Sequence, residues 1–542
     1  MPKSPEYLPY INPATGETFG QAAMDTPETV QAALEELRRA FPAWSAKPVR
    51  ERVAVLRKFQ KLLIDNIDEI TAVINQDCGK TRQDALIEVF ITVDLLNTYL
   101  RHAPRWLRPR RAPSGLYLFK QCHVQPRPFG VVAVISPWNY PFVLSLPPVI
   151  GALLAGNTVA LKPSEATGAT GVLIEALFRR SPELAPYVRV LHGDGRVGAA
   201  LTQGKPDYIF LTGSTATGRK VGLSAAETLT PYACELGGKD AMIVLEDADL
   251  PAAARWGVWG AVFNAGQSCH SVERVYVHAR AYDRFLQLAI AEAEQVQFGY
   301  SRAAVNSLDM GPITTPNQLE IIERHVADAL TRGARALTGG QAQGSFFPPT
   351  LLADVDHTML VMREETFGPL MPIMKVADEA EAVARANDSE YGLGASIWSR
   401  DLRRAFDVAR RVEASSVIIN DTLAQFGVPM LPFGGIKNSG YGRTHGKEGV
   451  LHFTRPFAYV AGHPPFKYDP ITIMRVPGNY HFGKAALQLA RGAALEQRLE
   501  PVRQGIQLAR EQAADGDRKK LGLGLLGLAG LALGALALKK KG

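Results

Sequence analysis

Hydrophobic positions in the first part of the chain recur at helical spacing. After a short N-terminal strand region that carries NPATGE, the apolar residues of ETVQAALEELRRAF and RVAVLRKFQKLLIDNI fall near a period of 3.6 residues. This pattern predicts helices from residue 27 to about residue 107.

From Pro128 onwards, short β-rich runs alternate with helical segments. The predicted strands are FGVVAVIS, NTVALKP, YVRVLHG and DYIFLTG, and helices are predicted to begin near Ala166 and Gly218. Strands that alternate with helices of this length indicate βαβ units on a parallel sheet. The sequence therefore predicts an α/β fold with a doubly wound nucleotide-binding domain. A second α/β stretch, from DAMIVLE near residue 240 to about 430, predicts a catalytic domain.

The C-terminal part of the chain has a different pattern. Residues 461 to 483 are rich in Pro, Gly and aromatic residues and indicate a linker, whereas residues 484 to 514 have helical composition. Residues 521 to 538 are an uncharged apolar run of 18, which as a helix would be about 27 Å long, close to the thickness of a bilayer core. Because the run has no polar face, we expect a membrane anchor rather than a helix packed on the enzyme or on a partner.

Composition and charge exclude several classes of protein. The 542 residues are 46% hydrophobic and 21% charged, which is typical of a folded globular protein of three or four domains. The net charge of +7 comes largely from Lys and Arg residues after residue 517, so the body lacks the basic stripe of a nucleic-acid-binding protein. The N-terminus has no apolar segment with a cleavage site and does not resemble a signal peptide.

Four cysteines stand far apart in the sequence, namely Cys78, Cys122, Cys234 and Cys269. Their spacing fits neither a disulfide framework nor a zinc site, so we expect no metal and a reducing compartment. Cys269 differs from the others because FNAGQSCHSVERVYV places it in a small, polar turn between a helix and a strand. A lone cysteine is more often a small buried hydrophobe than a nucleophile, so its role depends on its neighbours.

Glycine-rich turns give two candidate phosphate sites. GDGRVG at 193–198 follows a predicted strand and opens a helix, and it fits an ordinary turn as well as a dinucleotide site. FLTGSTATGRKV places Gly213 and Ser214 at a similar turn, with Gly218 in the first helical turn. GLGLLG at 522–527 lies inside the apolar run and matches by chance.

Several motifs together resemble the aldehyde dehydrogenase superfamily over about residues 8 to 460. In chain order they are SPWNYPF, LKPSE, ELGGKD, FNAGQSC, EETFGP and LPFGGIKNSG. The resemblance implies that Cys269 attacks the aldehyde carbon as a thiolate and forms a thiohemiacetal. It also implies an oxyanion site made by the Asn139 side chain and the Cys269 backbone N–H, and Glu235 as the general base for thioester hydrolysis.

The same resemblance implies a set of coenzyme-binding residues. Trp138, Gly213 and Ser214 correspond to pyrophosphate contacts, and Gly218 belongs to the same turn. The others are Lys162 and Glu165 at the adenosine ribose, Gly195 near the adenine, and Glu365 and Phe367 at the nicotinamide ribose and ring. Because a carboxylate at Glu165 would repel a 2′-phosphate, NAD is the expected coenzyme, and NADP remains an alternative.

Within the superfamily, GGIKNSGYGRTHGK is most similar to the class 3 and membrane-bound fatty aldehyde dehydrogenase branch. Thr444 stands where many relatives carry a glutamate that relays protons, so that role is not expected here.

The implied domains are an NAD-binding domain (1–111 and 128–237, with a return segment 437–451) and a catalytic domain (238–436). They are followed by a small β oligomerisation arm (112–127 and 452–460) that forms homodimers, a linker with an amphipathic helix (461–520) and a transmembrane anchor (521–538).

We therefore expect a membrane-anchored dehydrogenase of a lipophilic or long-chain aldehyde, with its catalytic body in the cytoplasm. Two alternatives remain open. One is a dehydrogenase of a small polar semialdehyde that is merely tethered. The other is a catalytically silent membrane scaffold, against which the intact set of Cys269, Glu235 and Asn139 argues.

Overall fold

The computed structural model describes residues 6–114 and 120–462, and isolated helical positions between 480 and 511. The strands in this part of the chain are β1 (Tyr7–Ile11), β2 (Thr18–Ala23), β3 (Arg110–Ala112), β4 (Lys120–Pro128), β5 (Val131–Ile135), β6 (Thr158–Lys162), β7 (Val188–Val190), β8 (Tyr208–Thr212), β9 (Tyr232–Glu235), β10 (Asp240–Val244), β11 (Val272–His278), β12 (Arg335–Ala336), β13 (Thr350–Ala353), β14 (Leu370–Val376), β15 (Tyr391–Gly392), β16 (Gly394–Trp398), β17 (Ser416–Ile419), β18 (Ile436–Lys437), β19 (Gly440–Tyr441) and β20 (Thr454–Gly462). The α-helices are α1 (Pro27–Ser45), α2 (Val49–Asp65), α3 (Ile67–Cys78), α4 (Arg82–Trp106), α5 (Leu146–Ala155), α6 (Gly168–Arg179), α7 (Gly195–Gln203), α8 (Thr215–Thr228), α9 (Leu250–Val262), α10 (Ala279–Ala293), α11 (Pro316–Thr331), α12 (Leu360–Arg363), α13 (Glu379–Asn387), α14 (Leu402–Ala409) and α15 (Gly446–Leu451).

The first large sheet has the strand order β19-β9-β8-β5-β6-β7. Its pairs are parallel except for the edge strand β19, which runs antiparallel to β9. Central strands such as VVAVI and TVALK are buried along their whole length, because helices cover both faces of the sheet. The predicted α/β fold is confirmed, and the edge strand makes the sheet mixed rather than purely parallel.

The second large sheet has the order β12-β13-β14-β11-β10-β16-β17 and is parallel except at its edge pair β12–β13. Its core contains the fully buried side chains of Tyr276, Phe285 and Trp398. In parallel sheets, ligands bind at the carboxyl ends of the strands. In the first sheet, those ends include Thr212 and Glu235, and this edge positions the site.

Helices α1 to α4 confirm the predicted helical region. Thr26 caps α1, and its side chain accepts a hydrogen bond from the Thr29 backbone N–H, while Thr81 caps α4 in the same way. Two predicted helix starts were a few residues off. The helix expected near Ala166 begins at Gly168 after one 3₁₀ turn, and the helix expected near Gly218 already begins at Thr215.

Strands β3, β4 and β20 form a separate three-stranded sheet in the order β20-β4-β3. These strands overlap the segments that the family resemblance assigns to an oligomerisation arm. Within this sheet the rings of His123 and Tyr459 stack with centroids 5.0 Å apart. Tyr459 and Val460 expose 38% and 62% of their surface.

The apolar run 521–538 and most of the linker and helix predicted between 461 and 520 lie outside the described residues. Within the described part of the chain, no helix is long and apolar enough to cross a bilayer. The membrane anchor therefore stays a prediction.

Candidate active site

A cleft of about 740 Å³ opens at the carboxyl ends of the first sheet. Most of the predicted coenzyme residues line it: Trp138, Lys162, Glu165, Gly195, Gly213, Ser214, Glu365 and Phe367. Lys162 Nζ lies 2.8 Å from Glu165 Oε2, and the Glu165 side chain is 43% exposed, so its carboxylate is accessible from the cleft. Lys220, which the sequence did not single out, lines the same cleft.

The starts of two helices distinguish the two candidate phosphate turns. Asp194 caps α7 and accepts a hydrogen bond from Arg196 N, so a carboxylate already lies at this positive helix end. The start of α8 is capped by the neutral Ser214 and has no acidic residue in its first turn. The α8 turn is therefore the better site for a pyrophosphate.

Open backbone at two glycines also suits a dinucleotide. A Cβ on Gly195 would meet no atom within 4 Å, and one on Gly213 would meet none closer than 3.6 Å, so a ligand can approach both. Gly218 is different, because a Cβ there would lie 2.8 Å from the Leu236 side chain. It is not among the residues that line the cleft, so helix packing rather than ligand contact explains this glycine.

Glu365 and Phe367 lie at the inner end of the cleft. The Trp138 and Phe367 rings meet edge to face at 5.4 Å, and the Glu365 carboxylate accepts a hydrogen bond from Gly238 N at 2.8 Å. A Cβ on Gly237 would overlap this carboxylate. This close approach explains Gly237 of ELGGKD, whereas a Cβ on Gly238 would overlap the carbonyl oxygen of Cys269.

Cys269 follows a left-handed turn. Asn264, Ala265 and Gly266 all have φ between 54° and 69°, which non-glycine residues rarely adopt. A Cβ on Gly266 would overlap the carbonyl of Gly368, so the FNAG and TFGP motifs press against each other. Strain of this kind persists where surrounding contacts enforce it, as at active sites.

Asn139 is buried beside this turn. Its side-chain amide donates to Gln267 O at 3.1 Å, and its own carbonyl accepts from Lys80 Nζ at 2.7 Å and Asn264 Nδ2 at 3.1 Å. The backbone at Asn139 is therefore held from two elements. This arrangement brings a side-chain amide donor close to the turn that carries Cys269.

Glu235 ends strand β9 with both carboxyl oxygens buried and without a protein hydrogen-bond partner among the described residues. Burial raises the pKa of Glu235 well above its ordinary range, and only the charge of Arg443 opposes this shift. A Cβ on Gly434 would lie 2.8 Å from Glu235 Oε1, so the first glycine of FGGIK gives this carboxyl its space. A carboxyl with a raised pKa is suited to exchange protons near neutral pH.

Cys269 lines both the cleft and a second, narrower pocket that also contains Glu235. Burial raises the pKa of its thiol, and the charges of Glu365, Asp240 and Glu235 raise it further. A thiol in this environment needs a base to become a nucleophile.

The second pocket is mainly apolar, and we call it the apolar pocket. Besides Cys269 and Glu235 its lining consists of Tyr99, Val143, Leu144, Pro147, Pro148, Phe210, Thr212, Leu236, Phe426, Phe433, Thr444, His445, Gly449 and Phe453. Burial lowers the pKa of His445 to about 3, so this ring is neutral at physiological pH. None of the lining residues that the structure describes is Lys or Arg.

A family profile described as "Aldehyde dehydrogenase family" matches residues 1–457. The chain belongs to the aldehyde dehydrogenase family. It is 40% identical over 505 residues to the 4,4'-diapolycopene aldehyde oxidase of Methylomonas sp, covering 92% of this chain and 94% of that relative. It is 36% identical over 486 residues to a protein of Mycobacterium ulcerans (strain Agy99) named "Putative succinate-semialdehyde dehydrogenase NADP(+) 2", covering 86% and 93% of the two chains.

Solved structures of other aldehyde dehydrogenases have the same fold. Lactaldehyde dehydrogenase from Escherichia coli superposes with a TM-score of 0.82 at 32% identity, over 85% of this chain and 96% of that one. A point mutant of betaine aldehyde dehydrogenase from Staphylococcus aureus, in complex with NAD+, gives 0.81 at 28% identity, over 85% and 95%. This chain is therefore an enzyme of the aldehyde dehydrogenase type.

Two buried charge clusters of this aldehyde dehydrogenase were missed by sequence reasoning. Lys80 Nζ lies 2.7 Å from Glu88 Oε1, and the other oxygen of Glu88 accepts from the backbone N–H groups of Phe142 and Val143. This pair holds the segment that carries Asn139. The only available signal was the charged residues on the apolar side of α4, and sequence alone does not show what they face.

The second cluster supports the loop with Glu365 and Phe367. The Glu273 carboxylate accepts hydrogen bonds from Thr366 N and Phe367 N, and Lys239 Nζ lies 2.5 Å from the same carboxylate. A lysine directly before β10 and a glutamate within β11 were a possible signal. Without the tertiary structure, they could not be paired with each other.

The three other cysteines differ from Cys269 in their positions. Cys78 is buried at the end of α3, Cys122 is half-buried in β4, and Cys234 is buried in β9 next to Glu235. None of them lines the cleft or the apolar pocket as the structure describes them. We predict that they have no catalytic role.

Proposed function

We propose that this enzyme oxidises a lipophilic aldehyde to the carboxylic acid through a thiohemiacetal and a thioester on Cys269. The observation that carries the proposal is the apolar pocket, which leads to Cys269 and Glu235 and has no cation among its described lining residues. The relative from Methylomonas is named as an oxidase of 4,4'-diapolycopene aldehyde, which is a lipophilic aldehyde, and this name supports the same substrate class.

In the first step, Cys269 attacks the aldehyde carbon after losing its proton. Glu235 shares the apolar pocket with this thiol and is the candidate to accept the proton, directly or through water. The oxygen that becomes negative needs donors fixed in advance. Asn139, whose backbone is anchored by Lys80 and Asn264, offers its side-chain amide together with the Cys269 backbone N–H.

A nicotinamide coenzyme, when bound, supplies the acceptor for the hydride. The cleft fits such a group, because the start of α8 and the open backbone at Gly195 and Gly213 suit a dinucleotide. Phe367 and Glu365 would hold the nicotinamide end. Glu165 would bond the adenosine ribose and disfavour a 2′-phosphate, so we propose NAD as the preferred coenzyme, with NADP as an alternative because Lys162 and Lys220 line the same cleft.

Hydrolysis of the thioester completes the reaction. Glu235 would take a proton from the attacking water, and its raised pKa makes it a strong enough base for this step. Because this base must be ionised, the hydrolysis rate should increase with pH up to the pKa of Glu235.

The alternative substrate is a small semialdehyde such as the one in the name of the Mycobacterium relative. A carboxylate buried in an apolar pocket without a cationic partner would be costly. A second alternative, a silent scaffold, does not explain why Cys269, Glu235 and Asn139 converge at one place. We therefore favour the lipophilic aldehyde.

The test is a comparison of kcat/KM for hexanal, hexadecanal, 4,4'-diapolycopene aldehyde and succinate semialdehyde, with NAD and NADP separately. We expect the lipophilic aldehydes to exceed succinate semialdehyde by at least about 10²-fold, since a lost apolar contact and a buried charge each cost a few kcal/mol. A preference for succinate semialdehyde would refute the substrate class, and no oxidation of any aldehyde would favour the scaffold.

We further propose that residues 521–538 anchor the enzyme to a membrane, with the catalytic body in the cytoplasm. Basic residues before and after this run, such as Lys520 and Lys539, can reach the headgroups on either side of it. The match to the Methylomonas relative covers 92% of the chain and so extends beyond residue 457, where the family profile ends. These features also agree with the similarity of the GGIKNSGYGRTHGK segment to the membrane-bound branch of the superfamily.

Deletion of residues 517–542 tests the anchor. The truncated protein should move from the carbonate-washed membrane fraction to the supernatant and keep its rate on hexanal. Its rate on hexadecanal in bilayers should fall, because the tether concentrates the site where that substrate partitions. Full-length protein found entirely in the supernatant would refute the anchor.

We also propose a homodimer formed through the three-stranded sheet of β20, β4 and β3. Strand β20 lies at the edge of that sheet, and exposed apolar side chains such as Val460 are unfavourable in water. Light scattering of the truncated protein should give twice the chain mass, and Val460→Lys should shift it toward the monomer. A monomeric unsubstituted protein would contradict the dimer.

A further inference from the structure

The imidazole of His270, the residue directly after the nucleophile, is buried against a carboxylate. His270 Nδ1 lies 2.6 Å from Asp240 Oδ2, and the two side chains are 3% and 6% exposed. The other carboxylate oxygen accepts a hydrogen bond from Gly394 N at 2.9 Å. Among the described residues, His270 is the side chain that lies within hydrogen-bonding distance of Asp240. Nothing in the reaction described above uses this pair.

Glycines on two sides confine the pair beside the nucleophile. A Cβ on Gly394 would overlap Asp240 Oδ2 and lie 2.7 Å from His270 Nδ1. A Cβ on Gly238 would overlap the carbonyl oxygen of Cys269 and lie 3.1 Å from Asp240 Oδ1. The carboxylate thus lies close to the backbone of Cys269 and is held by Gly394 N and His270 Nδ1.

Asp240 is one of three acidic residues whose charges oppose ionisation of the Cys269 thiol. Burial raises the pKa of the other two, Glu235 and Glu365, so both are biased toward their neutral forms. Asp240 differs from them because an imidazole lies against it. An imidazolium at this position would offset the carboxylate charge where the sulfur must become negative.

We propose that His270 is a positioning residue whose protonated ring cancels the charge of Asp240 and so allows Cys269 to ionise. It acts through Asp240 and need not touch the substrate. The proposal rests on the proposed role of Cys269 as nucleophile. It assigns a function to the histidine of GQSCH, which the family motifs quoted above do not include.

Asp240 is the one charged group in contact with the His270 ring among the described residues. His270 Nε2 is buried and has no hydrogen-bond partner among the described residues, so the attraction of Asp240, 2.6 Å from Nδ1, must outweigh the cost of an unpartnered N–H at Nε2. The neighbouring groups are the uncharged Gln425 amide, 3.1 Å from Nδ1, and Phe433, with ring centroids 4.7 Å apart. His445 is the other titratable group near the ring, and its pKa of about 3 leaves it neutral.

The experiment measures alkylation of Cys269 by iodoacetamide between pH 6 and pH 10 in the full-length protein, with the modified site located by peptide mass spectrometry. The variants are His270→Leu, Asp240→Asn and the double variant. We expect His270→Leu to raise the apparent pKa of the thiol by about one unit, which makes alkylation at pH 7.5 about tenfold slower. Asp240→Asn should leave the apparent pKa unchanged or lower it. In the double variant it should return to the value of the unsubstituted enzyme.

A purely structural role predicts a different result. In that case the double variant would be as slow as His270→Leu or slower, because the losses would add. That outcome, or an unchanged profile in His270→Leu, would overturn the proposal. Should the leucine variant not fold, His270→Asn serves the same purpose, since it cannot carry the charge and should also raise the apparent pKa of the thiol.

His357→Leu is the matched control. His357 forms a similar pair with Asp388, Nδ1 to Oδ2 at 2.9 Å, but none of the acids near the sulfur is involved. This variant should lose stability without changing the alkylation profile. The alkylation readout does not require turnover, so a failure of the proposed oxidation would be seen separately as the absence of activity.

Discussion

The two pockets that meet at Cys269 differ in how they are built. The coenzyme cleft is large and is lined by short motifs, such as LKPSE and FLTGS, at the carboxyl ends of strands β6 and β8 of one sheet. The apolar pocket is narrow, and its lining comes from α4, α5, β8, the loop that contains Phe426 and Phe433, and α15. The cleft offers backbone and helix ends, which suit a dinucleotide coenzyme common to many enzymes. The other uses apolar side chains from distant parts of the chain, which suits a substrate particular to this enzyme.

Removal of the Cys269 thiol, which lines both pockets, should have the largest effect on activity. Cys269→Ala should reduce aldehyde oxidation by at least about 10⁴-fold, because no other described residue of the site supplies a nucleophile. NAD affinity, measured by fluorescence titration, should stay within about threefold, since the thiol makes no ribose or phosphate contact. Cys234→Ala and Cys122→Ala are the controls and should keep nearly full activity. Substantial turnover in Cys269→Ala would contradict the mechanism.

The second prediction separates the steps that depend on the two pockets. Glu235→Gln keeps the shape of the apolar pocket but removes the base, so steady turnover should fall by about 10²- to 10⁴-fold. Hydride transfer should be less affected, and rapid mixing should show a burst of NADH close to one per active site. In the unsubstituted enzyme, steady turnover should rise with pH and level off above the pKa of Glu235. Equal steady rates in the variant and the unsubstituted enzyme would exclude Glu235 as the base.

A charge placed in the apolar pocket should reverse its preference. Phe426→Arg should lower kcat/KM for hexadecanal by about 10²-fold, since a lost large apolar contact is worth about 1.5 to 3 kcal/mol. The same change should raise kcat/KM for succinate semialdehyde. Phe406→Arg, at a position that is 54% exposed on α14, is the matched control and should change neither value. If hexadecanal turnover is unaffected, the substrate does not use this pocket.

The smallest effect is expected at the outer end of the coenzyme cleft. Glu165→Gln should narrow the ratio of kcat/KM for NAD and NADP by about tenfold, because one charge-assisted hydrogen bond and one repulsion are lost. Glu183→Gln, on the surface and paired with Lys58, is the control. An unchanged ratio would show that another group, such as Lys220, sets the coenzyme preference.

Much of the fold follows from local pattern. The helices before residue 107 and the strands of the first sheet were predictable, because amphipathic period and buried β-branched runs are properties of neighbouring residues. The boundaries were less accurate, as at Gly168 and Thr215. The antiparallel edge strands were not predictable, since β19 pairs with β9 across more than two hundred residues.

The motifs that carry the site were also visible in the sequence. Their glycines, however, were explained only by the structure. Gly237 leaves space for the Glu365 carboxylate, Gly434 for the Glu235 carboxyl, and Gly266 for the carbonyl of Gly368. In each case the reason is a contact with a segment about one hundred to two hundred residues away.

The sequence by itself determined the α/β class, the order of the elements, and the residue types at Cys269, Glu235, Asn139 and the coenzyme turns. These depend on short-range pattern and on motifs that chance does not assemble. Only the tertiary structure decided which charged side chains lie together, as in Lys80 with Glu88 and Asp240 with His270, and which apolar residues line the pocket next to Cys269. The reason is physical. Burial and electrostatic environment depend on what surrounds a side chain in space, and a residue's neighbours in the sequence do not specify those surroundings.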